Sequence, residues 1–131
     1  SILDQFQIKK QNVCTYSPLT LAYIGDAIYE IIIRTIVVGE GNRQVNQLHK
    51  KSSNLAKAGT QAEMVLKLQP FLEEEQIYKR GRNAKSYTAA KNADIIDYRN
   101  ATGFEALMGY LYMQGKTERM FELVKKGMEL L

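Results

Sequence analysis

The sequence is poor in several residue types that would signal particular chemistries. It has one cysteine, Cys14, one histidine, two prolines and no tryptophan. A single cysteine excludes an internal disulfide framework and a metal cluster built from thiolates alone. Cys14 reads as a free thiol in a reducing cytoplasm. His49 has no second histidine to complete a zinc site, and it stands beside Lys50 and Lys51. It reads as a surface or phosphate-contacting residue and not as a catalyst. No glycine-rich loop of the nucleotide-binding type is present. The apolar stretch from Ala27 to Val38 is interrupted by Glu30 and Arg34, and it falls short of the about 20 residues a membrane span needs. No segment has the layout of a signal peptide. The expectation is a soluble, cytoplasmic protein with no membrane partner.

What remains is an ordinary globular composition. The 131 residues are 45% hydrophobic, enough for one domain around one core. The net charge is +4 and the pI about 9.1, which permits a polyanionic partner. The pattern is helical throughout, so the fold class is all-α. Residues 1–16 form a lead-in with Ile2, Leu3, Phe6 and Ile8 as docking points. Ser17-Pro18 is a helix start, a hydroxyl at the N-cap and proline at the first helical position. From there Leu21, Ile24, Ile28 and Ile31 recur at three-and-four spacing, which predicts a helix to about Val38, buried on most sides. Gly39-Glu40-Gly41-Asn42 ends it.

A second helix is predicted over 43–58, with Val45, Leu48 and Leu55 inward and a break at Gly59-Thr60. Thr60 then caps a third helix over 61–68 carrying Ala62, Val65 and Leu66. A fourth is predicted over 71–80, with Glu73, Glu74 and Glu75 suiting its positive end. Residues 81–92 read as a loop and 94–98 as a short turn. A fifth helix runs from Asn100 to about Gln114, stopped by Gly115. Thr117 caps the last, with Met120, Phe121, Val124 and Met128 as its packing face. Tyr23, Tyr29, Tyr110 and Tyr112 read as core or interface residues with a polar tip.

Two acids stand alone on apolar helices: Asp26 in Tyr23-Ile24-Gly25-Asp26-Ala27, and Glu105 in Phe104-Glu105-Ala106-Leu107-Met108-Gly109. A carboxylate is costly to bury unless it is paired, hydrogen-bonded or on a metal. Gly25, Ala106 and Gly109 let another backbone approach closely. Where the two helices cross at these residues, Asp26 and Glu105 meet, and oxygen-only ligands suit Mg²⁺ or Mn²⁺. Each acid bonding a nearby cap, or pairing with Arg34 or Arg99, is the alternative. A third feature is basic. Lys79, Arg80, Arg82, Lys85 and Lys91 occur between 79 and 92 with no acid among them, a pattern suited to phosphate contact or to a solvated loop.

These residues resemble the ribonuclease III family. Tyr23-Ile24-Gly25-Asp26-Ala27 is similar to its signature helix, E-x-x-E-F-L-G-D-[AS], and Phe104–Gly109 to its second motif, D-x-F-E-A-L-[IL]-G-A. Order and separation agree over about residues 17–131. Two family acids are missing, with Ala22 and Thr102 in their places, and the expectation is a catalytic domain without a double-stranded-RNA-binding domain after Leu131. This departure resembles a stripped-down branch of the family. The resemblance implies a ribonuclease III-like helical endonuclease domain over 1–131, working as a homodimer. It implies Mg²⁺-dependent cleavage of double-stranded RNA, with Mn²⁺ able to substitute, and a role in maturing the ends of the large-subunit ribosomal RNA precursor. Ribosomal proteins on that precursor are further candidate partners. Asp26 and Glu105 carry over as the catalytic, metal-binding pair, with Asp94, Asp97 or Glu30 as candidates for further ligands. Arg80, Arg82, Lys85 and Lys91, with Lys50 and Lys51, are the expected RNA contacts. A non-catalytic RNA-binding scaffold of the same family is the alternative, favoured by the two missing acids.

Overall fold

A computed structural model describes residues 1–84 and 94–131, and its described residues form seven α-helices and no strand. They are α1 (Ile2–Gln5), α2 (Pro18–Gly39), α3 (Val45–Ala56), α4 (Ala58–Leu68), α5 (Glu75–Asn83), α6 (Ile95–Met113) and α7 (Thr117–Leu130). Short 3-10 turns lie at Val13–Thr15 and Gln69–Phe71. The all-α expectation holds. Lys85 and Lys91 lie outside the described residues.

Helix α6 is the hub, packed by α2, α4, α5 and α7. The core around it takes Tyr29, Ile33 and Val37 from α2, Met64, Val65 and Leu68 from α4, and Tyr78 from α5. From α6 and α7 come Phe104, Leu107, Met108, Leu111, Met120, Leu123 and Val124. Several boundaries are written locally. The Ser17 hydroxyl accepts from the Thr20 amide at 3.2 Å and Pro18 follows at the first helical position. Gly115 adopts φ +73°. The Gly115 and Lys116 amides return to the Tyr112 and Leu111 carbonyls at 3.0 and 2.9 Å, the paired C-terminal bonds that a left-handed glycine allows.

Other boundaries depart from the pattern. The second helix ends at Ala56, and Lys57 makes the turn with extended backbone; Gly59 and Thr60 lie inside α4. The cause is where the last carbonyls of α3 find donors. Asn54 accepts from the Thr60 hydroxyl at 2.6 Å, Leu55 from the Tyr29 hydroxyl at 2.7 Å and Ala56 from the Gln61 amide at 2.7 Å. Thr60 is therefore spent on α3 and caps nothing. The fourth helix begins at Glu75, not Phe71, because Gln69–Phe71 closes a 3-10 turn around Pro70. It also runs through Gly81, which is buried against Gly103 and Ala106 and is no loop glycine.

The predicted turn at 94–98 is the first part of α6, whose Asp94 side chain accepts from the Ile96 amide at 2.7 Å. Asn100 is an interior contact, accepting from the Tyr78 hydroxyl at 2.8 Å. Lys116, not Thr117, holds the N-cap place of α7. Val45, Leu66 and Phe121 are exposed, and Leu123 and Gly127 are buried in α7. Helix α2 is open on one face in the single chain, with Leu19, Tyr23, Ile31 and Val38 exposed.

One charged staple ties α7 to the segment before α5. Arg119 Nε and Nη2 each donate to Glu74 at 2.9 Å, Nη2 also donates to the Phe71 carbonyl, and Nη1 donates to Glu122. These hydrogen bonds hold the Glu74 carboxyl below its ordinary value. Fork-to-carboxylate pairing of this kind is the strong form of a charged hydrogen bond. Arg119→Ala is expected to cost about 2 kcal/mol, seen as a fall of several degrees in Tm by thermal denaturation.

Candidate functional site

The site lies where α2 crosses α6. A Cβ on Gly25 would collide with the Glu105 carbonyl oxygen, and one on Gly109 with the Leu21 carbonyl oxygen. Each glycine is thus the space in which the other helix's backbone runs. Asp26 follows Gly25, and Glu105 lies one helical turn before Gly109, so the crossing brings the two acids together. Asp26 stands close enough that its carboxyl and its charge act on Glu105. Asp26 itself is exposed. The expectation of an acid inside an oily helix is corrected, because α2 turns its Asp26 face outward at the crossing. Glu105 is the half-buried partner.

Burial pushes the Glu105 carboxyl up to about 8 from its ordinary 4.5. The hydrogen bond to Asp26 and the charge of Asp26 push the same way, and the charge of Glu30 adds to them. Gln61 opposes, through an Nε2 that reaches Glu105 Oε2 at 3.5 Å. Around neutral pH Glu105 therefore favours its protonated form.

Among the described residues no lysine or arginine forms an ion pair with either acid. Arg34 is engaged by Glu30 at 3.2 Å. Of the further candidate ligands, Asp94 caps α6 and Asp97 faces the start of α4 near Gly59. Among the described residues no group of three histidines, cysteines or acids is spaced to hold a metal. Ala22 is buried, and the Thr102 hydroxyl is spent on the Tyr98 carbonyl at 2.9 Å. The donor set is therefore two carboxylates, oxygen only, with an open side at Asp26. That chemistry fits a hard cation that keeps several of its waters, as Mg²⁺ does.

The raised Glu105 value has a sign that can be tested. The folded chain holds this proton more tightly than the unfolded chain does. That contribution is whole below pH 4.5 and is lost as pH rises toward about 8. Glu105→Gln removes the loss. In metal-free buffer the variant is expected to melt above the wild type at pH 8.5, with the gap closing by pH 5. A gap independent of pH would contradict the raised Glu105 value.

The basic residues separate. Arg80 is exposed on α5. Arg82 donates to Asn83 Oδ1 at 3.2 Å and lies 5.6 Å over the Tyr78 ring. Both flank Gly81, which touches Ala106 immediately after Glu105, so they ride on the helix packed beside the site. Lys50 is exposed on α3, and Lys51 pairs with Glu40 at 2.9 Å. His49 is exposed, as expected. One polar residue at the site escapes the motif reading, namely Gln61, only 3% exposed. Its signal is present in the sequence: it occupies the inward spacing of α4 with Val65 and Leu68.

Comparison with known proteins covers most of the chain. A family model described as "Ribonuclease III domain" matches residues 19–116. The Mini-ribonuclease 3 of Clostridium tetani is 49% identical over 122 residues, covering 91% of this chain and 81% of that protein. The Mini-ribonuclease 3 of Brevibacillus brevis is 50% identical over 117 residues, covering 88% and 87%. A crystal structure of a Fusobacterium nucleatum protein superposes with a TM-score of 0.77 at 30% identity, covering 85% of this chain and 90% of that one.

Proposed function

The chain belongs to the ribonuclease III family, and from that premise we propose how it works as an endoribonuclease on double-stranded RNA in ribosomal RNA processing. Asp26 and Glu105 jointly hold a divalent cation, Mg²⁺ or in its place Mn²⁺, at the crossing of α2 and α6. One observation carries this reading: the close crossing at Gly25 and Gly109 sets Asp26 beside Glu105, and among the described residues no lysine or arginine pairs with either acid. Such a pair is unfavourable when both are ionised, and a divalent cation is what relieves it. When bound, the ion supplies a hydroxide from water and polarises a phosphodiester oxygen.

The chain's own residues do the rest. Asp26 faces solvent and can be reached by a phosphate. Glu105 gives up its proton on ligation. Arg80 and Arg82, with Lys85 and Lys91 of the adjoining segment and Lys50 and Lys51 on α3, hold the phosphates of an A-form duplex, which is recognised by shape and backbone. The products carry 5′-phosphate and 3′-hydroxyl ends. The substrate in the cell is the large-subunit ribosomal RNA precursor in the cytoplasm, with its bound ribosomal proteins as neighbours. Residues 1–131 act as one catalytic domain. Among the described residues no helix is long and apolar enough to cross a membrane.

A duplex has two strands, and one site cuts one. The open face of α2 supports a homodimer. Beside it lies an apolar groove of about 790 Å³ between α2 and α7, lined by Ile28, Ile31, Ile32, Ile36, Met120 and Phe121. Exposed apolar area of this extent is an association surface. A second copy covers it and doubles the +4 charge offered to RNA.

The test uses a fully paired hairpin RNA. Discrete cuts are expected with Mg²⁺ and none with EDTA, and sedimentation velocity at micromolar concentration is expected to show a dimer. Binding without cutting under either ion would favour the scaffold reading. A cutting monomer would remove the two-strand arrangement.

A further inference from the structure

Gln61 lies on the inner face of α4 and is almost completely buried. A primary amide has two donors and an acceptor to satisfy. Its Nε2 donates to the Ala56 carbonyl at 2.7 Å and reaches Glu105 Oε2 at 3.5 Å. Its Oε1 is buried and has no partner among the described residues. The Ala56 contact decides which end of the amide faces the acid, because a carbonyl accepts only from the NH₂ group. Gln61 is thus anchored on the last carbonyl of α3 and presents its second N–H to Glu105. The neighbouring hydroxyls cannot take its place. Thr60 is spent on the Asn54 carbonyl, and Tyr29 on the Leu55 carbonyl.

An unpaired buried amide oxygen costs about 1–3 kcal/mol, so a leucine would fill this place at lower cost. Such a departure in a well-satisfied interior calls for a reason. Here the reason is at hand, since the amide touches one of the two acids of the site. We propose that Gln61 is a positioning residue that holds the Glu105 carboxylate in the orientation in which it and Asp26 bind a divalent cation together. The inference rests on the reading of Glu105 as a metal-binding acid. It adds that α4, through one side chain, sets the geometry of a site otherwise built from α2 and α6. With only two carboxylates present, a rotation of one is not compensated by others.

The test is Mn²⁺ binding to the full chain without RNA, read by electron paramagnetic resonance. Gln61→Met keeps the length of the side chain and removes the donor, and Gln61→Leu is the second variant. Each is expected to raise the Mn²⁺ Kd about tenfold, the usual size of an outer-partner effect. Cleavage at limiting Mg²⁺ should fall and recover at saturating Mg²⁺, which a loss of packing alone would not do. A Kd within about twofold of the wild type in a folded variant would overturn the inference, judged against that same tenfold expectation. So would failure of both variants to fold, because Gln61 would then be a packing residue. Asp26→Asn and Glu105→Gln separate this from the parent reading. If they abolish Mn²⁺ binding and Gln61→Met does not alter it, the positioning role alone fails. If they leave Mn²⁺ binding unchanged, both fail.

Discussion

Asp26→Asn is expected to lower duplex RNA cleavage by about three orders of magnitude, with RNA affinity and Tm nearly unchanged. The substitution keeps size and shape and removes one charge. Asp26 is exposed, so no buried group is orphaned by the change. The site has two carboxylates where the family pattern has four, with Ala22 and Thr102 in the other places. Each remaining acid is therefore half of the charged ligation. The same substitution should bring Glu105 back toward its ordinary range, since Asp26 contributes to raising it. NMR titration of the Glu105 carboxyl carbon reads this independently of activity. A cleavage rate within about tenfold of the wild type would refute the metal assignment for Asp26, because loss of a charged ligand from a two-acid site costs far more.

Gly109→Ala and Gly25→Ala are expected to be the most damaging single-methyl additions to the described fold. In each case the new Cβ meets a backbone carbonyl of the facing helix, and no flexible side-chain end is there to yield. The helices must part, and α2 against α6 is the centre of the core. The expected cost is about 3–5 kcal/mol, against a total stability on the order of 5–15 kcal/mol. Urea denaturation measures it. Gly39→Ala is the control, since nothing lies within 4 Å of the added carbon, and it should be neutral or slightly stabilising. A variant at Gly25 or Gly109 that stays folded should still lose cleavage, because parting the helices parts Asp26 from Glu105. Wild-type stability in both would mean that the crossing is looser than described.

The two glycines also show how much of the site could be read in advance. A small residue beside a lone acid, on each of two apolar helices, marked a place where the helices could cross and the acids meet, with local capping or pairing to Arg34 or Arg99 left open as the alternative. Gln61 was not legible in the same way. Its inward position follows from helical spacing, but the partner that gives it meaning is 44 positions away in the chain. The boundaries divide likewise. Ser17-Pro18 and Gly115 mark helix ends because their signals act within a turn. The junction of α3 and α4 is set by Thr60, Tyr29 and Gln61, which reach back to α3 from elsewhere.

By itself, then, the amino-acid order determined the helical class, the ends that carry their own caps, the small residues Gly25 and Gly109 that admit a close neighbour, and the two acids that stand alone on apolar helices. Those properties depend on residues three or four apart, or on a steric requirement that only glycine meets. The tertiary structure alone decided that Asp26 faces outward while Glu105 is half-buried, that desolvation pushes the Glu105 carboxyl up, and that a buried amide reaches it. Exposure, desolvation and long-range hydrogen bonds are properties of how helices pack, and helical periodicity carries no record of which neighbour a face will meet.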